Sequence, residues 1–568
     1  GACQIIATGG PASRRFSRFW AIRRLANPSR AVDSISAPTT NYIPSTVCQT
    51  HLDPMTNFDE SPVTHSAMLQ RLSGFFAAQE SGVVLVGGYL RDTLRSATPA
   101  RDVDIALPGD AQKIGRELAR FLGGTFVPLG TAFGAARVVV PSPDPESPED
   151  EKGKDWTIDL WGYTGTVEED LARRDFTIDA MALPFQDWPA IESPELAEKV
   201  MDPFNGRQDL AKKCIRAVNP HVFQDDPGRL LRTVHLAARL RFRFEPETVR
   251  MVTEAAPLIS QVSGDRIRNE FLGILSMDGA RGYLQVLDHL DLLCRVIPEL
   301  ADAKGVDQPK EHYWDVWDHS LHAVEFAELV TKGHHNSPIY TQLPWPGGRE
   351  EYFNQVISDG HNRRTVLKLA ALLHDVAKPQ TKHMDETGRT RFPGHPELGA
   401  AIAETRLTQL HMSARGIAAV CKMVEEHLRP ATMQQGVELA TARAVYRYFR
   451  DLGDVAIDTL FLWMADHLAA KGPELDTDAW SVHARMVAHI LELGAQPKAT
   501  AQKERLVTGL DLMERFHLVP GPLIGNLLAQ IEEAQAVGEL ATRDDAFVLA
   551  SKVLEKDGIS NDDKSAGG

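Results

Sequence analysis

Residues 83–107, VVLVGGYLRDTLRSATPARDVDIAL, put an anion-binding turn and two carboxylates into one short strand-turn-helix-strand unit. The apolar run from Val83 to Val86 halts at Gly87-Gly88, where a helix can start with Arg91 and Asp92 in its first turn. Such a turn offers unpaired backbone N–H groups and the positive end of a helix to an anion, and Arg91 adds a charge. In the run from Arg101 to Leu107, strand alternation sends Asp102 and Asp104 to one face and Val103, Ile105 and Leu107 to the other. Two carboxylates on one strand edge pack poorly and suit Mg²⁺ well.

A Gly-Gly turn or an Asp-x-Asp pair, taken singly, is common in solvated loops and edges. Here they combine as G-G-x-x-R-D, nine residues, D-x-D. That pattern resembles the head domain of the class II tRNA nucleotidyltransferases, the CCA-adding enzymes, and their bacterial poly(A) polymerase relatives. The resemblance implies that Asp102 and Asp104 hold catalytic Mg²⁺ and that Gly87, Gly88, Arg91 and Asp92 belong to the nucleotide site.

A chain of 568 residues is too long for one core, so several domains are expected. No apolar run approaches the roughly 18 residues of a membrane span, and no membrane partner is expected. The five cysteines are scattered without a CxxC pair, which argues against zinc ribbons and disulfide scaffolds and for a reducing, cytoplasmic setting. A net charge of -16 does not exclude a nucleic-acid partner, because phosphate affinity follows local basic surface. Between Arg207 and Arg243 nine Lys/Arg face three acids; an RNA-binding surface and an ordinary solvated helix face account for this equally well.

Residues 1–52 carry six Arg and one Asp without periodicity, and a disordered extension is expected over 1–62. An Arg-rich, acid-poor leader also fits an organellar transit peptide. Met55 makes a natural start before the first periodic segment, so an upstream translated region or a cloning remnant accounts for the extension better.

Past the aspartates, 111–121 has helical spacing and 123–140 reads as strand and turn, while 141–154, PSPDPESPEDEKGK, reads as an acidic surface loop. The run WTIDLW at 156–161 alternates, making Asp159 a candidate third acid on a neighbouring strand, with a water-facing edge Asp as the alternative. Residues 173–182, RRDFTIDAMA, resemble the family's RRDFTINAMA motif with Asp179 where Asn is usual. The resemblance implies that Arg174 and Asp175 lie near the nucleotide sugar and phosphates. Residues 201–210 match the family's head-to-neck connector.

From there the pattern is helical. Asp225-Asp226-Pro227 reads as an acidic N-terminal cap, followed by a helix with an apolar stripe of Leu230, Leu231, Val234, Ala237 and Ala238. Arg229, Arg232, His235 and Arg239 share its other side. This segment resembles the family's EDxxR motif, whose Asp and Arg act as a protein template for the incoming base. An ionised Asp226 only accepts and Arg229 only donates, so cytosine and adenine satisfy both, whereas uracil and guanine turn a carbonyl to the carboxylate. Asp225 stands for the usual Glu and His235 for a frequent Arg at one triphosphate contact; the resemblance implies Arg232 and His235 at the nucleotide. Residues 262–270 resemble the family's SxERIxxEL helix.

A second constellation holds His319, His374-Asp375, His395, His427 and Asp466 in helix-rich sequence. The ordered set resembles an HD-domain metal phosphohydrolase. The resemblance implies His319, His374, Asp375 and Asp466 as core ligands, with His395 and His427 joining when a second metal is present. Mixed imidazole and carboxylate ligands suit a water-activating transition-metal site. Residues 334–361, rich in Gly, Pro and His, read as a long insertion loop. Residues 507–554 resemble the closing segment of the same enzymes, with Ile524, Leu527, Leu528 and Ile531 on one face, and a disordered end is expected after Glu555.

The expectation is an α+β nucleotidyltransferase head over 63–190, a helical neck and body over 191–305, an all-α HD domain over 306–485 and a helical tail over 486–568. The partners expected are tRNA, CTP and ATP, and the reaction is CMP and AMP addition to the tRNA 3′ end. Two alternatives stay open. One is a poly(A) polymerase, or an enzyme limited to A or CC addition, although no GRRF-like run is found. The other is an HD phosphohydrolase with a non-catalytic RNA-binding head. Oligomeric state is not legible.

Overall fold

The computed structural model describes residues 64–77, 82–96, 101–130, 134–141, 155–332, 339, 342–344, 348–433, 439–494 and 505–556. The expected disordered extension over 1–62, most of the acidic loop at 141–154 and the end beyond residue 556 lie outside the described residues.

The head is a six-stranded sheet in the order β3-β4-β5-β2-β1-β6. Its strands are β1 (Val84–Val86), β2 (Asp102–Pro108), β3 (Thr125–Leu129), β4 (Ala135–Val140), β5 (Trp156–Tyr163) and β6 (Ala182–Pro184). Only β2 and β5 run parallel; the other neighbours are antiparallel. Helices α1 (His65–Phe76), α2 (Gly87–Leu94) and α3 (Ala111–Leu122) complete it. Asp110 caps α3 by accepting from Gln112 and Lys113 N–H, and Gly123, at φ 70°, ends it in the left-handed conformation that costs glycine nothing. The α3 helix lies so close to β4 that a Cβ on Gly115 would come 2.8 Å from that of Ala136. One face of the sheet is thereby sealed, and the other carries the polar groups beside a small apolar cluster that includes Val84, Val86, Ala106 and Tyr163.

Beyond the head the chain is helical. Helix α4 (Arg229–Leu240) buries the stripe Leu230, Leu231, Val234, Ala237 and Ala238. The expected cap differs: Asp225 closes a preceding short helix, Val222–Asp225, and Gly228 takes the N-cap without a side-chain bond. Asp226 instead accepts from Gly228 N–H at 3.0 Å, because Pro227 separates the two helices and leaves that amide free.

Helix α5 (Gly264–Ser276) packs on α4 and meets α6 (Val316–Thr331) and α7 (Arg363–Leu373) through a buried ion pair. Lys368, 1 % exposed, donates to the carbonyls of Leu275 at 2.9 Å and Met277 at 3.0 Å and pairs with Glu328 at 2.8 Å. Glu328 in turn accepts from the N–H groups of Gly279 and Ala280. The carbonyl end of one body helix and the amide start of the next are thus both neutralised from the HD side. Helices α8 (His395–Gln409), α9 (Ala414–Glu426) and α10 (Ala456–Lys471) complete the HD bundle. One apolar core is continuous from Met68 to Ile490. The tail helices α11 (Gly509–Phe516), α12 (Pro522–Ala536) and α13 (Arg543–Lys556) form their own, with Ile524, Leu527 and Ile531 inside.

The insertion is not only a loop. Its described part contains a helix, Arg349–Asn354, and a hairpin of Val356–Ser358 with His361–Asn362. These elements are too short to carry a period, and tertiary contacts hold them: Phe353 is fully buried, and Tyr352 Oη donates to Asp458 Oδ2 at 2.7 Å. Arg363 Nη1 lies 2.8 Å from the same oxygen. Burial pushes the Asp458 carboxyl up to about 6 despite Arg363. With the folded pKa above the unfolded one, this group stabilises the fold below about pH 4, and that contribution is lost as pH rises through 6. The melting temperature of the wild type relative to Asp458→Asn is therefore expected to fall between pH 4 and pH 7. A rise over that range in paired melts contradicts it. Arg363→Ala, which strands the buried carboxylate, should cost about 3–5 kcal/mol.

Candidate functional site

The alternation of β2 leaves Asp102 exposed and Asp104 half-buried, with Val103, Ile105 and Leu107 in the core. Gly87 sits at φ 66°, and a Cβ there would meet Asp104 Oδ2 at 2.5 Å; no other residue fits the turn. Gly88 N–H donates to that oxygen at 3.0 Å. Burial, reinforced by Asp159 and opposed by Arg174, pushes the Asp104 carboxyl up to about 6.

The parallel register of β2 with β5 sets Asp104 opposite Asp159, and the antiparallel register of β5 with β4 sets Asp159 opposite Arg137. The carboxylate of Asp159 is held at both oxygens by Arg137, Nε to Oδ1 at 2.7 Å and Nη2 to Oδ2 at 2.8 Å. In this geometry Asp159 orients an arginine beside the Asp102–Asp104 pair.

Arg91 differs from its expected place. Helix α2 begins at Gly87 itself, so Arg91 falls in the second turn, 1 % exposed. Its Nη1 donates to Asp179 Oδ1 at 2.6 Å, and Nε and Nη2 donate to Asp92. The guanidinium is spent on acids and locks the cradle helix to the turn that follows the RRDF motif. Asp179, where Asn is usual, adds a second carboxylate to the one that Asp92 already gives this buried cation.

Asp175, buried, receives Arg232 Nε at 2.7 Å. Burial would raise its pKa, but Arg232 and Arg229 outweigh it and hold the carboxyl below the usual range. Arg174 pairs with Asp170 at 3.2 Å. Arg229 and Asp226 meet loosely, Arg229 Nε lying 3.8 Å from Asp226 Oδ2. Arg229 donates to the carbonyl of Arg173 at 2.7 Å. His235 Nδ1 lies 2.6 Å from Glu270 Oε2 and packs so tightly on Gly273 that any side chain there would collide with the ring.

In the HD bundle, His319 comes from α6, His374 and Asp375 from the end of α7, His395 from the start of α8, His427 from the end of α9 and Asp466 from α10. His319 Nε2 lies 3.1 Å from His374 Nε2, 3.2 Å from Asp375 Oδ2 and 3.1 Å from Asp466 Oδ1. Donors about 2.1 Å from one ion stand about 3.4 Å apart, so this quartet has the dimensions of a metal site. His395 Nε2 and His427 Nε2 approach the other oxygen of Asp375 at 3.3 and 3.9 Å. His374, His395 and His427 each place Nδ1 at 2.7–2.8 Å from a carbonyl three residues earlier, which directs the Nε2 lone pairs inward. His395 Nε2 and Asp375 Oδ1 are buried without a hydrogen-bond partner, while Asp375 Oδ2 has the Lys378 ammonium at 2.6 Å. Orphaned donor atoms that face one another fit a metal. Burial alone would depress His374, yet Asp375 and Asp466 lift it to about 10.

Four residues join these sites without having been singled out as functional by pattern: Arg137, Glu270, Lys378 and Arg266, which binds Asp226 Oδ2 at 2.8 Å. Lys378 carried a local signal, three residues after Asp375. The other three are joined only by strand register or helix packing.

Fold and sites together define a nucleotidyltransferase head joined to an HD domain. The family description "Poly A polymerase head domain" matches residues 83–216, "Probable RNA and SrmB- binding site of polymerase A" 241–304, "HD domain" 316–471 and "tRNA nucleotidyltransferase domain 2 putative" 397–550. An A-adding tRNA nucleotidyltransferase of Deinococcus radiodurans is 30 % identical over 482 residues, covering 84 % of this chain and 96 % of the relative. A CC-adding tRNA nucleotidyltransferase of Thermus thermophilus is 29 % identical, covering 81 % and 91 %. The fold is shared with the Thermotoga maritima CCA-adding enzyme complexed with tRNA, at TM-score 0.52 and 20 % identity, over 86 % of this chain and 95 % of that one. The chain belongs to the tRNA nucleotidyltransferase family. Among the described residues, no helix is long and apolar enough to cross a membrane.

If Asp375 is shared by two ligand sets, His374→Ala and Asp375→Ala should lose bound transition metal, whereas His427→Ala should keep the position at His319, His374 and Asp375 filled. Metal analysis of the purified variants checks this, and full metal content in His374→Ala contradicts it.

Proposed function

We propose that the head, with the neck helix α4, transfers CMP and AMP from CTP and ATP to the 3′ end of tRNA and releases pyrophosphate. The observation that carries this reading is the convergence of Asp102 and Asp104 with the Gly88 amide at one helix start, beside the acid–arginine lattice of Asp175 and Arg232. Asp102 and Asp104 would hold Mg²⁺, whose chemistry there is to neutralise the triphosphate and acidify the tRNA 3′-hydroxyl. The Gly88 amide holds Asp104 in place, Arg174 faces the phosphates, and Asp175 fixes Arg232 toward the nucleotide. Asp226 accepts from the exocyclic amine of cytosine or adenine, and Arg229 donates to the adjacent ring edge. Arg266 keeps the Asp226 carboxylate ionised, for despite burial its pKa stays below the usual range.

The HD domain is proposed to carry a separate metal-dependent phosphohydrolase activity on its His and Asp ligands. A bound transition metal would supply an activated water. The domain limits read from the sequence, the head over 63–190 and the HD domain over 306–485, go with this division of labour.

A second reading has specific support: the two relatives above are named for A addition and for CC addition. In that reading this chain performs one part of CCA synthesis. Incubating the full chain with tRNAs ending before each added position, and each labelled nucleotide in turn, separates the readings. CMP and AMP incorporation in sequence supports the first, and incorporation of one nucleotide alone supports the second. Asp102→Ala and Asp104→Ala should each abolish incorporation and leave HD hydrolysis intact, and CMP transfer at the wild-type rate by either variant contradicts the assignment. Asp226→Ala should slow CTP and ATP use and narrow the preference over UTP by about ten- to a hundredfold. Unchanged selectivity in single-nucleotide assays would mean that the base is read elsewhere.

A further inference from the structure

The carboxylates divide the head sheet into two unlike halves. On the β1 side, the Gly88 amide, α2 and the buried Arg91–Asp179 pair close over them. On the β5 side, among the described residues, the same face is open over Thr157, Asp159 and Trp161 and closes at Tyr163, which is buried. Strand alternation points Thr157, Asp159 and Trp161 outward along β5, while Ile158 and Leu160 are fully buried on the reverse. Registers extend the open face sideways, with Arg137 opposite Asp159 and Val127 opposite Arg137.

Trp161 and Val127 are each 37 % exposed. A tryptophan so exposed, two residues or about 7 Å along the strand from Asp159, is not explained by packing. Among the described residues no aromatic ring or cation stacks on its indole. Arg137, its side chain 44 % exposed, uses Nε and Nη2 on Asp159 and keeps Nη1 for another acceptor. The clamp fixes the plane of the guanidinium beside the carboxylate row.

We propose that this strip binds the single-stranded 3′ end of the acceptor tRNA, with its terminal base stacked on Trp161 and its last phosphate against Arg137, so that the 3′-hydroxyl faces Asp102 and Asp104. The proposal rests on the nucleotidyl-transfer reading. In-line transfer places the attacking oxygen and the leaving pyrophosphate on opposite sides of the reacting phosphorus. With the triphosphate cradle on the β1 side, the attacking strand has to come from the β5 side. An aromatic platform next to a phosphate-binding cation is the usual equipment for a single strand, and it is tolerant of sequence because every base has a π-face. That tolerance suits a primer whose last base changes after each addition.

The test uses the full chain and a truncated tRNA carrying 2-aminopurine as its 3′-terminal base. Binding to the wild type should quench the probe by stacking. Trp161→Ala should restore the emission and raise KM for tRNA about tenfold, with kcat and the KM for CTP and ATP changed less than twofold. Trp161→Phe should recover quenching and KM, a rescue that a merely structural role for the side chain does not predict. Unquenched emission on wild-type binding, or the same quenching and KM in Trp161→Ala, overturns the proposal while wild-type extension of tRNA leaves the transfer reading standing. A wild type that extends tRNA with neither nucleotide overturns both. If Trp161→Ala does not fold, Trp161→Gln gives the same comparison.

Discussion

The ion pair between Arg91 and Asp179 is the constraint on which the head depends. Neither group is more than a few per cent exposed, so neither can be satisfied by water if the other is removed. One end is anchored in the second turn of α2, whose first turn meets Asp104, and the other in the short 3-10 turn that follows Asp175. Through Asp175 the same bracket reaches Arg232 on the neck helix. Helix α2, the turn after the RRDF stretch and the neck helix are therefore tied together by buried charges, with Asp92 holding the rest of the Arg91 guanidinium.

The HD site is built on the same economy with different parts. Its ligands arrive from five helices, and three of its imidazoles are oriented by the carbonyl three residues earlier in the chain. Rings tied in this way have one nitrogen left, and the bundle turns those nitrogens toward Asp375. The buried Lys368–Glu328 pair then fastens this bundle to the ends of two body helices.

Much of this was legible because it is local. The strand-turn-helix-strand unit and the back face of α4 follow from period and a short motif, and the structure forms those elements; the HD residues were found by their resemblance to a known domain, and the structure brings them together. The insertion was misread because a helix of six residues and a hairpin of two short strands have no period to detect; they exist because Phe353 and Tyr352 find partners on α7 and α10. The partners of Arg91 were not legible for a related reason. Its place beside Gly87-Gly88 suggests an anion contact, and nothing local reveals that an aspartate 88 residues away lies against it.

The sequence by itself determined the two chemical centres and the order of the domains that carry them. Asp102 and Asp104 share a face by strand geometry alone, and Gly87 is required wherever a carboxylate comes that close to a left-handed turn. Tertiary structure decided which charges are free to meet a substrate. Strand register puts Arg137 on Asp159, helix packing puts Arg266 on Asp226 and Glu270 on His235, and burial leaves Trp161 open beside them. These are long-range pairings, and a pairing between groups far apart in the chain is fixed by the free energy of the whole packed core, which no short stretch of sequence encodes.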